Sequence, residues 1–176
     1  MDALDMLTDN LAFAHRTYAN ARDATDEQLH FVPEDGSHSI AWCLWHTARI
    51  EDNLVQGSYR QTDVIWNADW AAKTGLPVEG PFVGMSDEDA QRLELKNQDA
   101  FFEYIDTVWA TTMEFLGGMT ADDLDREVRL GERVETLGGS ISTHMVGHFN
   151  SHRGEINWLR GMQGLQPVTG AAPAQA

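Results

Sequence analysis

Apolar residues at Leu4, Leu7, Leu11, Ala14, Tyr18 and Ala21 alternate steps of three and four, the seam of an amphipathic helix. They predict a first helix over about residues 2–23. After a turn at Pro33, Asp35 and Gly36, Ser37 or Ser39 is placed to cap a second helix through Ile40, Leu44 and Ala48, which runs out near Gly57. Ser86, followed three residues later by Asp89, resembles a capping box with an acidic first turn, and opens a third helix expected to reach Leu116, before Gly117 and Gly118. Ser140 is the expected cap of a fourth helix ending near Met162. The Ala, Gly and Pro residues beyond read as a loose end, so the domain is expected over residues 1–163 and a flexible tail over 164–176. Little of the chain alternates with the period of a strand.

Four helices with apolar seams predict an all-α protein, a four-helix bundle. The connection over residues 57–86 is too long for an ordinary hairpin between helices, which allows the second and third helices to run parallel. It carries Trp66 and Trp70 and a short helix expected over residues 67–73, stopped by Gly75 and Pro77. Two roles are open to this aromatic segment: covering an exposed end of the core, or closing the mouth of a pocket.

The length of 176 residues fits one domain with one core. Acidic residues outnumber basic ones 28 to 12, and the net charge of −16 repels phosphate backbones and anionic lipids. Neither a nucleic acid nor a membrane is therefore an expected partner. The 7 Phe, 6 Trp and 3 Tyr, with 42% hydrophobic residues, supply a core that a disordered acidic chain would lack. The lone Cys43 forms no internal disulfide, the segment MDALDMLTDN has no signal-peptide pattern, and no apolar run is long enough to span a bilayer. A cytoplasmic protein acting on a small-molecule substrate is expected, with a homodimer left open beside a monomer.

The chemistry lies in ISTHMVGHFNSHRGEINWLRG, in the fourth helix. His144, His148 and His152 are spaced by four and stack along one side of it. At about 100° per residue, Ile141, Met145, His148, His152 and Leu159 all lie within roughly 40° of the direction shared by Ile141 and Leu159, whereas His144 and Glu155 lie roughly 40–60° to one side of it. His148 and His152 thus stand where a core helix expects Leu or Ile, one turn apart, with the separation two imidazoles need to chelate one metal ion. A single histidine on an apolar face is more often a hydrogen-bonded core residue. A facing third histidine changes that balance. The second helix offers His46 within SIAWCLWHTARIED, four residues from both Trp42 and Ile50, so its face is also expected to be buried.

SIAWCLWHTARIED together with HMVGHFNSHRGEI resembles the DinB/YfiT-like family of metalloenzymes, and VIWNADWAAKTGLP resembles its actinobacterial branch. The resemblance spans about residues 4–163 and is specific for fold and metal site rather than for substrate. It implies a bundle of up-down-down-up order in which His46, His148 and His152 bind a divalent metal. The family usually has Gln after the HRG triplet, where this chain has Glu155.

Three neutral imidazoles leave a coordination position for water or substrate, as in catalytic zinc sites. Zinc is the first expectation, and nickel or iron also suits imidazole. The ion's positive charge lowers the pKa of a bound water or thiol. The first would support hydrolysis and the second sulfur transfer. The resemblance implies transfer from a low-molecular-weight thiol, mycothiol or bacillithiol, with the actinobacterial likeness pointing to mycothiol. The alternatives are a metal-dependent hydrolase and a bundle that binds metal or a small ligand without turnover.

The remaining polar residues read more plainly. His15, His30 and His38 are expected on the surface or in loops. Cys43 is expected to be a small buried hydrophobe outside the site. Glu51 and Asp52, rotated roughly 120–140° from His46, are expected on a solvated face. Arg153 is expected to point outward toward the surplus carboxylates. His144 and Glu155 are candidates for an outer shell around the metal, and Glu155 is placed either to accept a hydrogen bond from a ligating imidazole, to act as a base, or to form a surface salt bridge.

Overall fold

The fold, taken from a computed structural model, is described for residues 1–34, 38–80 and 85–169. Helix α1 (Ala3–Ala19) starts at a reciprocal cap: the Asp2 carboxylate accepts from the Asp5 amide at 2.9 Å, and Asp5 accepts from the Asp2 amide at 3.1 Å. A 3₁₀ turn over Asn20–Asp23 completes the expected first helical run. A short α2 (Asp26–His30), capped by Thr25, follows and was not foreseen from the periodicity. Ser39 caps α3 (Ile40–Asp52) by accepting from the Trp42 amide at 3.1 Å, and a π-helical stretch over Asn53–Arg60 continues it. The alternative cap Ser37, with Asp35 and Gly36, lies outside the described residues. The expected short helix is α4 (Ala68–Thr74), capped by Asn67 and stopped at Gly75. Gly75 has φ +83, and a Cβ there would meet Lys96 Cβ at 2.8 Å, so backbone and packing both call for glycine.

The third helix departs from expectation. Ser86 caps only a short α5 (Asp87–Gln91), and the long helix α6 (Gln98–Gly117) begins at its own cap, Asn97. The break has a hydrogen-bonding cause. The Leu95 amide donates to His30 Nε2 at 2.9 Å and the Lys96 amide to the Thr74 carbonyl at 2.8 Å, which removes both from a continuous helical ladder.

A hairpin of β1 (Glu127–Leu130) and β2 (Arg133–Thr136) was also unforeseen. Its turn places Gly131 at φ +63. Thr136, at the end of β2, caps the last helical run by accepting from the Gly139 amide at 3.2 Å. That run comprises α7 (Leu137–Ser140), a π-helical stretch over Ile141–Gly147, and α8 (His148–Met162). Ser140 is therefore not the cap. It is buried inside the run and shares a 2.8 Å hydrogen bond with the Tyr59 hydroxyl.

The packing forms a closed ring: α3 lies against α6 and α8, and α1 against α6, α8 and the π-helical stretch before α8. Leu11, Tyr18, Leu44, Trp45, Phe101, Ile105, Ile141, Phe149 and Ile156 fill the middle. Each such large apolar side chain contributes roughly 1.5–3 kcal/mol through burial. Among the described residues the elements are thus helical apart from one small hairpin. Part of the expected loose end is docked. Arg160 is buried, its Nη atoms donate to both Asp23 oxygens at 2.8 and 2.9 Å, and its Nε donates to the Gln166 carbonyl at 2.6 Å. Val168 is buried and its amide donates to Asn157 Oδ1 at 2.7 Å. Residues 170–176 lie outside the described residues. Among the described residues, no helix is long and apolar enough to cross a membrane.

Candidate metal centre

His46 sits in the middle of α3, and α8 contributes His148 at its first residue and His152 one turn later. The packing of α3 on α8 brings all three imidazoles together. His148 Nε2 lies 3.0 Å from His46 Nε2 and 3.2 Å from His152 Nε2. These separations suit ligands of one tetrahedral ion, because bonds of about 2.0–2.1 Å set neighbouring nitrogens roughly 3.3 Å apart. One proton on His148 Nε2 can be given to only one of these two neighbours, whereas a cation is shared by all three nitrogens. Burial, reinforced by His152 and His46, pushes the His148 imidazole down to about 4. His148 is thus neutral at ordinary pH, the form that ligates a metal.

A second group of donors, Cys43, His152 and Glu155, is also close together. Its geometry is that of hydrogen bonds. Glu155 Oε2 lies 2.5 Å from His152 Nδ1, too close for two ligands of one ion but suited to a charge-assisted bond in which Nδ1–H donates. The same oxygen accepts from the Cys43 thiol at 3.5 Å. Burial, together with the adjacent Glu155 charge, raises the Cys43 thiol well above its ordinary range, so it remains protonated. The His152 hydrogen bond holds the Glu155 carboxyl below the usual range. Cys43 is fully buried, in keeping with its reading from the sequence.

One wall of the centre is a stack of three rings. His38 lies 3.5 Å from Trp42 at an interplanar angle of 3°, and Trp42 lies 4.6 Å from His46 at 10°. The Trp42 indole N–H donates to Met85 Sδ at 3.4 Å. Met85 in turn lines a cavity of about 810 Å³ whose other walls include Pro77, Arg92 and Leu93. In the sequence Trp42 signals only burial, and His38 carries no sign of a role at the centre. The signal for Trp42 was its i,i+4 spacing to His46, whereas His38 lies before the helix and gave none.

His144 lies outside the cluster of three nitrogens, and its Nε2 donates to Glu135 of β2 at 3.0 Å. The structure corrects several other assignments. His15 is buried rather than on the surface, stacked on Trp109 at 4.9 Å and bonded to Glu51 at 3.1 Å. Glu51 and Asp52 are fully buried rather than solvated, because α3 is covered on more than its metal-facing side. Asp52 accepts from the Ile65 and Trp66 amides, each at 2.9 Å, and from the Tyr104 hydroxyl at 3.1 Å. His30 is partly buried as the acceptor for Leu95, and His38 is partly buried in the ring stack. Arg153 lies over the Phe13 ring at 5.4 Å. Trp66 packs on Trp45 and Tyr104 and donates to the Val78 carbonyl, while Trp70 packs on Tyr104. Both tryptophans therefore cover the core, and the tryptophan at the histidine cluster is Trp42.

A helical protein that gathers three imidazoles from two helices belongs to a recognisable class. The chain is a member of the DinB superfamily, whose sequence pattern it matches over residues 12–156. Its structure is similar to the crystal structure of a conserved protein from Enterococcus faecalis. The TM-score is 0.77 and the identity 19%, covering 91% of this chain and 96% of that one. This likeness is one of fold. No curated protein matches the sequence.

Proposed function

We propose that this DinB-superfamily chain is a divalent-metal enzyme, with His46, His148 and His152 as its ligands, that transfers a low-molecular-weight thiol of the mycothiol or bacillithiol type onto a small electrophile. The observation that carries the metal reading is the convergence of three Nε2 atoms from two helices at separations of 3.0 and 3.2 Å. Zinc is the preferred ion, with nickel and iron compatible with the same donors. When bound, the ion supplies uncompensated positive charge that lowers the pKa of a thiol brought to it. The choice of thiol rests on the resemblance of the sequence motifs to the family and to its actinobacterial branch.

The chain's own residues have defined parts in this reading. The three imidazoles hold the ion through neutral nitrogens. Glu155 fixes the orientation of His152, and Trp42 holds the plane of His46 by stacking.

The test is consumption of a reactive electrophile by protein loaded with zinc or nickel, with and without each thiol. Turnover that needs both metal and thiol is expected. Metal-dependent turnover in water alone would make the protein a hydrolase, and binding without turnover would make it a ligand-binding bundle.

A further inference from the structure

The Glu155 carboxylate is engaged on the side of His152 that faces away from the other histidines. Oε2 is the acceptor for His152 Nδ1–H at 2.5 Å and for the Cys43 thiol at 3.5 Å. The opposite nitrogen of the same ring, Nε2, faces His148 Nε2 at 3.2 Å. An imidazole that donates from Nδ1 presents a lone pair at Nε2, so one hydrogen bond decides which nitrogen is available to a metal. His148 has no equivalent support, because its Nδ1 is buried without a hydrogen-bond partner among the described residues.

We infer that Glu155 is a positioning residue, which locks His152 in the Nδ1–H tautomer and thereby preorganises one ligand of the centre before any metal arrives. The inference rests on the reading of His46, His148 and His152 as ligands. It adds that the support is uneven: the α8 ligand nearer the helix middle is held by a carboxylate, and the one at the helix start is held only by packing. A carboxylate is a stronger acceptor than a carboxamide, so its hydrogen bond holds His152 firmly and makes the ring a more basic ligand.

The experiment reads the metal-free protein first. Nitrogen NMR of the histidine side chains, in mildly alkaline buffer, is expected to show His152 as the Nδ1–H tautomer in the wild type. Glu155→Gln, whose side-chain carbonyl still accepts, is expected to keep that tautomer. Glu155→Ala is expected to shift the ring toward Nε2–H, the form that free imidazoles favour. Competition titration with zinc then follows on the same proteins. Loss of such outer support typically costs about 10- to 100-fold in affinity, expected for Glu155→Ala, with Glu155→Gln between it and the wild type. The Glu155 side chain is 48% exposed, so neither change disturbs the core. An Nε2–H tautomer in the wild type overturns the inference, as does wild-type zinc affinity in Glu155→Ala. A wild type that shows the Nδ1–H tautomer yet takes up no metal overturns the ligand reading while leaving the hydrogen bond in place, so the two failures are told apart.

Discussion

The Nε2 atoms of His46 and His148 lie 3.0 Å apart although 102 residues separate them in the chain. A metal held between them ties α3 to α8 only in the folded state, so binding adds stability by mass action. At free metal about 100-fold above Kd the gain is about 2.7 kcal/mol, which for a domain of this size raises Tm by roughly 5–10 °C. Chelation should lower Tm by that amount and added metal should restore it, as followed by differential scanning fluorimetry. An unchanged melt after verified metal removal would count against the centre.

The histidines of the last helical run should separate cleanly on substitution. His148→Ala and His152→Ala each delete one of the three proposed ligands, and the loss of affinity should exceed the roughly 100-fold upper range seen when only outer support is lost. His144→Ala breaks a contact with Glu135 instead, and should leave the metal content per chain unchanged. Metal titration of the three variants, after circular dichroism confirms that each is helical, decides the matter. A His144→Ala protein without metal would require the ligand set to be redrawn.

Trp66 should behave as a core residue. It is buried against Trp45 and Tyr104, and truncation to Ala is expected to cost about 3–5 kcal/mol. Metal affinity should stay at the wild-type value in the folded fraction. Urea denaturation combined with metal titration distinguishes this from a lid, for which ligand affinity would fall with little change in stability.

Asp52 gives the fold a pH signature. Burial raises its carboxyl above the ordinary value, and this outweighs the opposing effects of the Ile65 and Trp66 amides, the Tyr104 hydroxyl and Arg49. The folded chain therefore takes up this proton at a higher pH than the unfolded chain. The associated stabilisation is complete below the unfolded pKa and is lost as pH rises through the folded value. Relative to Asp52→Asn, the wild type should gain stability as pH falls through that window, measured by urea midpoints across an acid series. A pH-independent difference between the two proteins would show that Asp52 does not titrate abnormally.

Much of this architecture is legible in the sequence because it depends on local periodicity. The three-and-four steps of α1, the Ser39 cap of α3, and the four-residue spacing of His148 and His152 each concern neighbours on one helix. His46 was found from its apolar surroundings, which report burial but not what covers it. The misreadings share a different cause, namely partners remote in sequence. Glu51 is buried because His15, 36 residues earlier, reaches it from α1. The expected third helix breaks because His30 claims the Leu95 amide from 65 residues away. The hairpin around Gly131 did carry a local signal, alternating residues on either side of a glycine, but its many charged residues masked that pattern.

Cys43 supplies a built-in reporter of how often the centre opens. It is the chain's single cysteine, it lies fully buried beneath Glu155, and its thiol is held in the unreactive protonated form. Alkylation must therefore wait for α3 and α8 to part, so its rate measures that local separation rather than surface chemistry. A metal clamped between the same two helices makes such openings rarer, and labelling should slow in proportion to occupancy. The same shielding keeps the Cys43 thiol out of any assay in which a soluble thiol is consumed.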